Sequence, residues 1–240
     1  MKFNKTLLLL LLCHFIIQII NCKNLNTSNS NKIKRKKSKT STKGSLLTTI
    51  KKETKKDEYG EGSIFFLDRH ELSCSIGVLT DFSLVMQGPY KYQYNYSCVQ
   101  PAHCDDNCIA ELTKSDANTC KNLSTTPADI EKEDKKSLKS LDKHELKCPD
   151  EFLLTGFHMQ SKRNPNKIFY NYRCCPSKVQ NCKAGQSEWK PFGDNSVKEL
   201  DKLKVGHVDP SRFGLKDFKV QLDLAKNTFS YHYTACEIVG

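Results

Sequence analysis

Apolar and polar residues alternate strictly at three separate places in the 240-residue chain. A period of two, with aromatic and β-branched residues at the apolar positions, is typical of a half-buried β-strand. The apolar positions are Tyr92, Tyr94 and Tyr96, then Ile168, Tyr170 and Tyr172, then Phe229, Tyr231 and Tyr233. The same spacing therefore predicts one strand with an apolar face at each of the three places.

Each predicted strand is preceded by two further matching stretches. The nearer one alternates as well, with Phe82, Phe157 and Phe218 at its first apolar position. The farther one reads LDRHELSC at 67–74, LDKHELKC at 141–148 and LDKLKVGH at 200–207. One such unit is too small to bury its apolar face alone, so three must share a core. The sequence predicts an all-β, disulfide-rich domain over 59–240, with repeats at about 63–101, 137–178 and 196–238.

Twelve cysteines are too many for an ordinary cytosolic protein and indicate an oxidising compartment. Cys74 matches Cys148, and Cys98 matches Cys174, but the third repeat has His207 and Ala235 there. Loss of both positions together predicts the disulfides Cys74–Cys98 and Cys148–Cys174, because a leftover thiol would be reactive.

Cys13 and Cys22 lie within residues 1–22 and are set aside with the signal peptide predicted there. The six cysteines that remain leave 15 possible pairings open. They are Cys104, Cys108, Cys120, Cys175, Cys182 and Cys236. The spacing of Cys104 and Cys108 loosely suits zinc, but no second pair of ligands follows at the usual spacing. No metal and no cofactor is predicted.

The N-terminus has the pattern of a secretory signal peptide, predicted over residues 1–22. Lys2 and Lys5 precede an apolar run at 7–20, which is short for a membrane span, although an uncleaved signal anchor is the alternative. Residues 23–58 hold twelve Lys and Arg against three acidic residues and few apolar ones, which predicts a disordered basic tail. Residues 59–240 carry no net charge, which argues against a nucleic-acid-binding fold.

The run Lys34, Arg35, Lys36 and Lys37 within this tail has three interpretations. It is a solvated spacer, a patch for sulfated glycans or anionic membrane surfaces, or a processing site. Any association with a membrane would then be peripheral at most.

An insert at 99–140 separates the first two repeats and is predicted to be a surface excursion, where binding functions often lie. Three sites match the N-glycan acceptor pattern, at Asn26, Asn95 and Asn122. Asn122 is favoured because it falls in a predicted loop, whereas Asn95 falls inside a predicted strand.

None of the common catalytic motifs is present in the sequence, so no catalytic residue is assigned and an enzyme is not expected. His70 and His144 recur at one repeat position without convergent partners, which favours a structural role. Asp68, Asp142 and Asp201 recur in all three repeats. A turn or a local backbone hydrogen bond explains them better than a calcium site.

The repeat pattern, with an early Cys and an aromatic strand ending in Cys, resembles the dermatopontin family of extracellular adhesive proteins. Between repeats two and three, the segment 182–193 reads CKAGQSEWKPFG, which is similar to the opening of a thrombospondin type-1 repeat. Its second Trp is replaced by Phe192. The whole chain resembles the apicomplexan secreted proteins with an altered thrombospondin repeat. That resemblance implies storage in micronemes, display on the parasite surface and a part in host-cell attachment and invasion.

The sequence thus predicts a non-enzymatic secreted adhesive protein that binds a host-cell surface receptor or a sulfated glycosaminoglycan. Its candidate binding residues are Trp189, Lys183 and Lys190, aided by the insert and the basic tail. The alternative is a structural coat or complex subunit that assembles with other secreted proteins. A secreted enzyme or inhibitor is the third hypothesis.

Overall fold

Three long antiparallel hairpins form the frame of the protein. The computed structural model describes residues 47–58, 62–89, 91–101, 119–130, 138–163, 166–194, 196–201 and 203–239. The hairpins are β4 (Val78–Met86) with β5 (Lys91–Pro101), β9 (Phe152–Arg163) with β10 (Asn166–Pro176), and β14 (Phe213–Asp223) with β15 (Thr228–Ile238). They coincide with the alternating stretches of the sequence, and the predicted all-β fold is confirmed.

An edge strand and a two-residue strand flank each hairpin on the side of its second strand. They are β1 (Leu47–Glu53) and β2 (Asp57–Glu58) on β5, β6 (Lys121–Ser124) and β7 (Ala128–Asp129) on β10, and β11 (Val179–Gln186) and β12 (Lys190–Pro191) on β15. Each repeat therefore begins earlier than its sequence pattern suggests.

Two predicted boundaries are corrected by these edge strands. Residues 47–58, assigned to the disordered tail, form β1 and β2, because backbone pairing with β5 orders them while Lys51 and Glu53 stay exposed. Part of the predicted insert 99–140 is likewise β6 and β7 of the second sheet. Asn122 consequently lies in a strand and not in a loop. Residues 1–46 and 102–118 lie outside the described part of the chain.

A 3-10 helix and a short strand precede each hairpin, and they overlap the matching stretches at 67–74, 141–148 and 200–207. In chain order they are the helix Ile64–Arg69 with β3 (Glu71–Ser73), the helix Leu138–Lys143 with β8 (Glu145–Lys147), and the helix Val197–Leu200 with β13 (Lys204–Gly206). Each short strand pairs with the hairpin of a different repeat: β3 with β9, β8 with β14, and β13 with β4. The three repeats thus exchange strands in a closed ring.

The ring produces three sheets of equivalent design. Sheet 1 has the order β1-β5-β4-β13, sheet 2 the order β6-β10-β9-β3, and sheet 3 the order β11-β15-β14-β8. Every hairpin also has a register shift at the same place, beside Thr80, Thr155 and Lys216. The three sheets therefore share one strand order and one position of the register shift.

The inner faces of the three sheets meet in one core. Phe82, Phe157 and Phe218 occupy the same repeat position, and their ring centroids lie 4.8 to 5.0 Å apart. Tyr94 and Tyr231 pack edge-on against Phe82. Aromatic rings in tilted or edge-to-face contact add to the stabilisation from burial. Each repeat contributes one third of a core that none could form alone.

Four disulfides join described residues, in two structural classes. Cys74–Cys98 and Cys148–Cys174, as the sequence predicts, link the short strand to the hairpin within repeats one and two. Cys120–Cys175 and Cys182–Cys236 link the edge strand to the hairpin in repeats two and three. In sheet 1 the matching position of this second class holds Thr49 opposite Val99. Cys104 and Cys108 lie outside the described residues.

The helices that the structure describes are short 3-10 turns. None of them has the length and apolar character needed to cross a membrane.

Candidate functional site

The segment 182–193 forms the open edge of sheet 3. Its first part belongs to β11, whose residues from Gln180 to Ala184 are all exposed, and its second part contains β12. Both strands pair with β15, as β6 and β7 pair with β10 in sheet 2. The segment is therefore the third copy of an edge-strand pair.

The two aromatic residues of this segment have different environments. Phe192 is 3% exposed and stacks on Phe229 with ring centroids 5.8 Å apart, so it belongs to the core. Trp189 is 39% exposed, and its ring contacts His232 edge-on at 5.7 Å. Large exposed aromatic residues are enriched at binding sites. Trp189 is therefore the stronger binding candidate of the pair.

His232 contacts Trp189, and the sequence does not predict this contact. His232 lies on the outer face of β15, between Lys219 on β14 and Gln186 on β11. Burial, aided by the charge of Lys219, lowers the pKa of its imidazole. The alternation of β15 places His232 on the outer face, but only the fold of the edge segment brings Trp189 against it.

The two candidate lysines lie at different ends of the segment. Lys183 is opposite Ala235, with its Nζ 5.4 Å from the centroid of the Phe213 ring. Lys190 is opposite Phe229, and its Nζ lies 3.2 Å from Glu188 Oε1. Six residues of β15 separate these two register positions, which corresponds to about 20 Å along an extended strand. Trp189 and the two lysines therefore do not form one compact basic cluster.

Lys34, Arg35, Lys36 and Lys37 lie outside the described residues. Their candidate role in binding remains a prediction from the sequence alone.

The recurring histidines are built into the core. His70 Nδ1 lies 2.8 Å from Thr54 Oγ1, and His144 Nδ1 lies 2.9 Å from Thr125 Oγ1. Each of these threonine hydroxyls also accepts a hydrogen bond from the backbone N–H of the central strand tyrosine. His70 and His144 are 2% and 1% exposed. This geometry gives the histidines a role in joining the edge segment to the hairpin.

Two of the three recurring aspartates, Asp68 and Asp201, connect one repeat to another instead of forming the local turns that the sequence suggests. Asp68 accepts a hydrogen bond from Ser161 of the second repeat. Asp201 accepts one from the backbone N–H of Met86 in the first repeat, at 2.8 Å. Both contacts follow the direction of strand exchange, because each aspartate ends a helix whose short strand enters that sheet.

Both described glycan acceptor sites lie on outer faces. Asn122 is exposed on β6, and Asn95 is exposed on β5, with its Oδ1 accepting a hydrogen bond from Gln93 Nε2 at 2.9 Å. Because both asparagines lie in strands, their location does not favour one over the other as a glycan acceptor.

Among the described residues, no group of three or more His, Cys, Asp or Glu side chains is arranged to hold a metal ion. No protein-family model matches the chain, and no curated protein or solved structure matches it either.

Proposed function

We propose that the protein is a secreted or surface adhesive protein that binds a host-cell receptor or glycan through the Trp189 edge of sheet 3. The observation that carries this proposal is an exposed indole, 39% accessible, that lies between β11 and β12 and contacts the ring of His232. A preorganised aromatic side chain loses little conformational entropy when it binds. The resemblance described above gives the biological setting, which is microneme storage and host-cell invasion.

The disulfide framework supports the extracellular part of the proposal. Four disulfides within the described residues are compatible with an oxidising compartment, where such bonds persist. Cys182–Cys236 joins β11 to β15, so this disulfide fixes the edge strand that precedes Trp189. A rigid surface is suited to recognition outside the cell.

The test is a cell-binding assay with the full oxidised chain. Trp189→Ala should lower binding several-fold, because interface tryptophans often contribute more than 1 kcal/mol. Leu224→Ala is the matched control, since Leu224 is a 69% exposed apolar residue in the hairpin turn of the same sheet. Equal binding by both variants, or no binding above that of the reduced protein, would refute the proposal.

A second candidate function is that of a subunit in a coat or complex. It is favoured by β11, an eight-residue edge strand. Among the described strands, β11 pairs only with β15, on one of its two sides. Such an edge can accept a strand from another protein. This function predicts no cell binding by the isolated chain. It also predicts a stoichiometric partner in native material. An amine-reactive cross-linker attached to Lys183 would detect this partner.

A further inference from the structure

A polar groove of about 550 Å³ lies on the outer face of sheet 2. Gly156 is one of its lining residues, and the equivalent positions of the other two sheets hold Asp81 and Asp217. A Cβ at Gly156 would collide with the carbonyl oxygen of Leu72, so the close approach of β3 requires glycine there. The groove is therefore a consequence of how tightly β3 joins sheet 2.

Four of the polar side chains that line this groove carry a carboxylate, a guanidinium or an amide group. They are Glu71 on β3, Asn122 on β6, and Asn171 and Arg173 on β10. No hydrogen bond or ion pair joins the side chain of any of the four to another residue that the structure describes. Polar groups that are left open in a concave surface are available to a ligand.

The matching groove of sheet 1 differs in this respect. There Gln93 Nε2 donates to Glu53 Oε2 at 3.0 Å and to Asn95 Oδ1 at 2.9 Å. Asp81 forms an ion pair with Lys204 at 3.4 Å. Asn95 and Lys204, at the positions equivalent to Asn171 and Glu71, therefore already have partners within the protein. The open set in sheet 2 is thus not a general property of the repeated design.

The chemistry of the four side chains favours a neutral ligand rich in hydroxyl groups. Arg173 and Glu71 contribute one positive and one negative charge, and the two asparagines contribute both donors and acceptors. His158 forms a fixed wall, because its Nε2 donates to the backbone oxygen of Asp68 at 2.6 Å and its Nδ1 accepts from Gln160 at 2.8 Å. A sulfated ligand would meet no net positive charge here.

We propose that this groove binds a neutral saccharide. Asn122 lies in an N-glycan acceptor pattern with Leu123 and Ser124, so the sugar could come from the chain's own glycan or from a separate glycan. The recognition chemistry is the same for both sources. The site is distinct from Trp189 and holds whether or not the Trp189 edge binds cells.

The first experiment uses the full oxidised chain from a host that adds no N-glycans. Its probes are a free mannose-rich N-glycan oligosaccharide and a heparin tetrasaccharide, measured by NMR titration. The neutral probe should bind, and Arg173→Ala and Asn171→Ala should each weaken it about tenfold, as expected for loss of a hydrogen bond to a charged or amide group. The matched control is Thr234→Ala, at the position in sheet 3 equivalent to Arg173. No binding of the neutral probe, preference for heparin, or equal weakening by the control would overturn the proposal.

The second experiment separates the two sources. The chain is made in a glycosylating host, alone and as Ser124→Ala, which removes the acceptor pattern but keeps Asn122. If the attached glycan fills the groove, the glycosylated chain should no longer bind the free probe, and Ser124→Ala should restore binding. If both preparations bind equally, the source is a separate glycan.

Discussion

At the scale of single residues, recurrence at equivalent repeat positions indicates a structural role. His70 and His144 recur because each is a buried link to a threonine hydroxyl, and the third repeat replaces them with buried Leu203. The sequence alone is sufficient to favour this structural role. It does not predict the contact between Trp189 and His232, since the two lie in separate elements whose approach depends on the edge-strand pairing.

The buried histidines should make folding stability depend on pH. Burial, with a contribution from Lys143, lowers the pKa of His144 to about 4, and burial also lowers the pKa of His70. The unfolded chain binds these protons near pH 6.5, so it holds more protons than the folded chain between about pH 6.5 and 4. Stability should therefore fall as the pH is lowered through that window, which urea unfolding at pH 7.5 and 4.5 would measure.

The control for this effect is supplied by the third repeat. His144→Leu introduces leucine, the residue type that the third repeat has at the equivalent position, Leu203. The substitution also removes one titrating group. The fall in urea midpoint between pH 7.5 and 4.5 should become smaller in this variant. An unchanged difference would show that other groups cause the pH dependence.

At the scale of elements, the sequence predicts the hairpins but not the edge strands. The hairpins have long runs of alternating aromatic and aliphatic residues, whereas β1 is rich in Thr and Lys and buries only part of Leu47 and Ile50. Its order comes from backbone pairing with β5, which leaves no signal in composition. For the same reason, the sequence predicts an insert where the structure has β6.

The alignment of elements predicts a new disulfide in sheet 1. Thr49 lies opposite Val99, where sheets 2 and 3 hold disulfides with Cα atoms 4.2 and 3.9 Å apart. The double variant Thr49→Cys, Val99→Cys should form this bond and raise the free energy of unfolding by about 2–4 kcal/mol, since the bond would close a long loop. Mass mapping and urea unfolding would measure both effects.

Thr49→Cys alone is the control for the disulfide prediction. It introduces the thiol without the bond, so it should not raise stability. Two free thiols in the double variant would show that the edge strand of sheet 1 is not in the register of the other two.

At the scale of the whole molecule, the repeats are joined by strand exchange and by a common core. The sequence does not indicate which hairpin each of the three short strands joins. In the structure, β3 joins sheet 2, β8 joins sheet 3 and β13 joins sheet 1. No disulfide between described residues links 47–101 to 119–239. Association of the first repeat with the others is therefore non-covalent within the described part.

This arrangement predicts that a cut chain remains assembled. A protease site engineered within 109–117 should allow cleavage into two pieces that separate on a denaturing gel without reductant. The same pieces should elute together by size exclusion without denaturant, because β3, β13 and the three central phenylalanines hold them. Separate elution would show that the exchanged strands contribute too little to hold the repeats together.

The closed ring also constrains how the protein can be made. Sheet 1 contains the first described strand of the chain but is completed by β13, which lies more than 100 residues beyond β5 in the order of synthesis. The nascent first repeat must therefore wait with an exposed apolar surface while the ribosome adds the rest. Such late, long-range closure slows folding. We therefore expect the unfinished polypeptide to need chaperones that shield this apolar surface until translation ends.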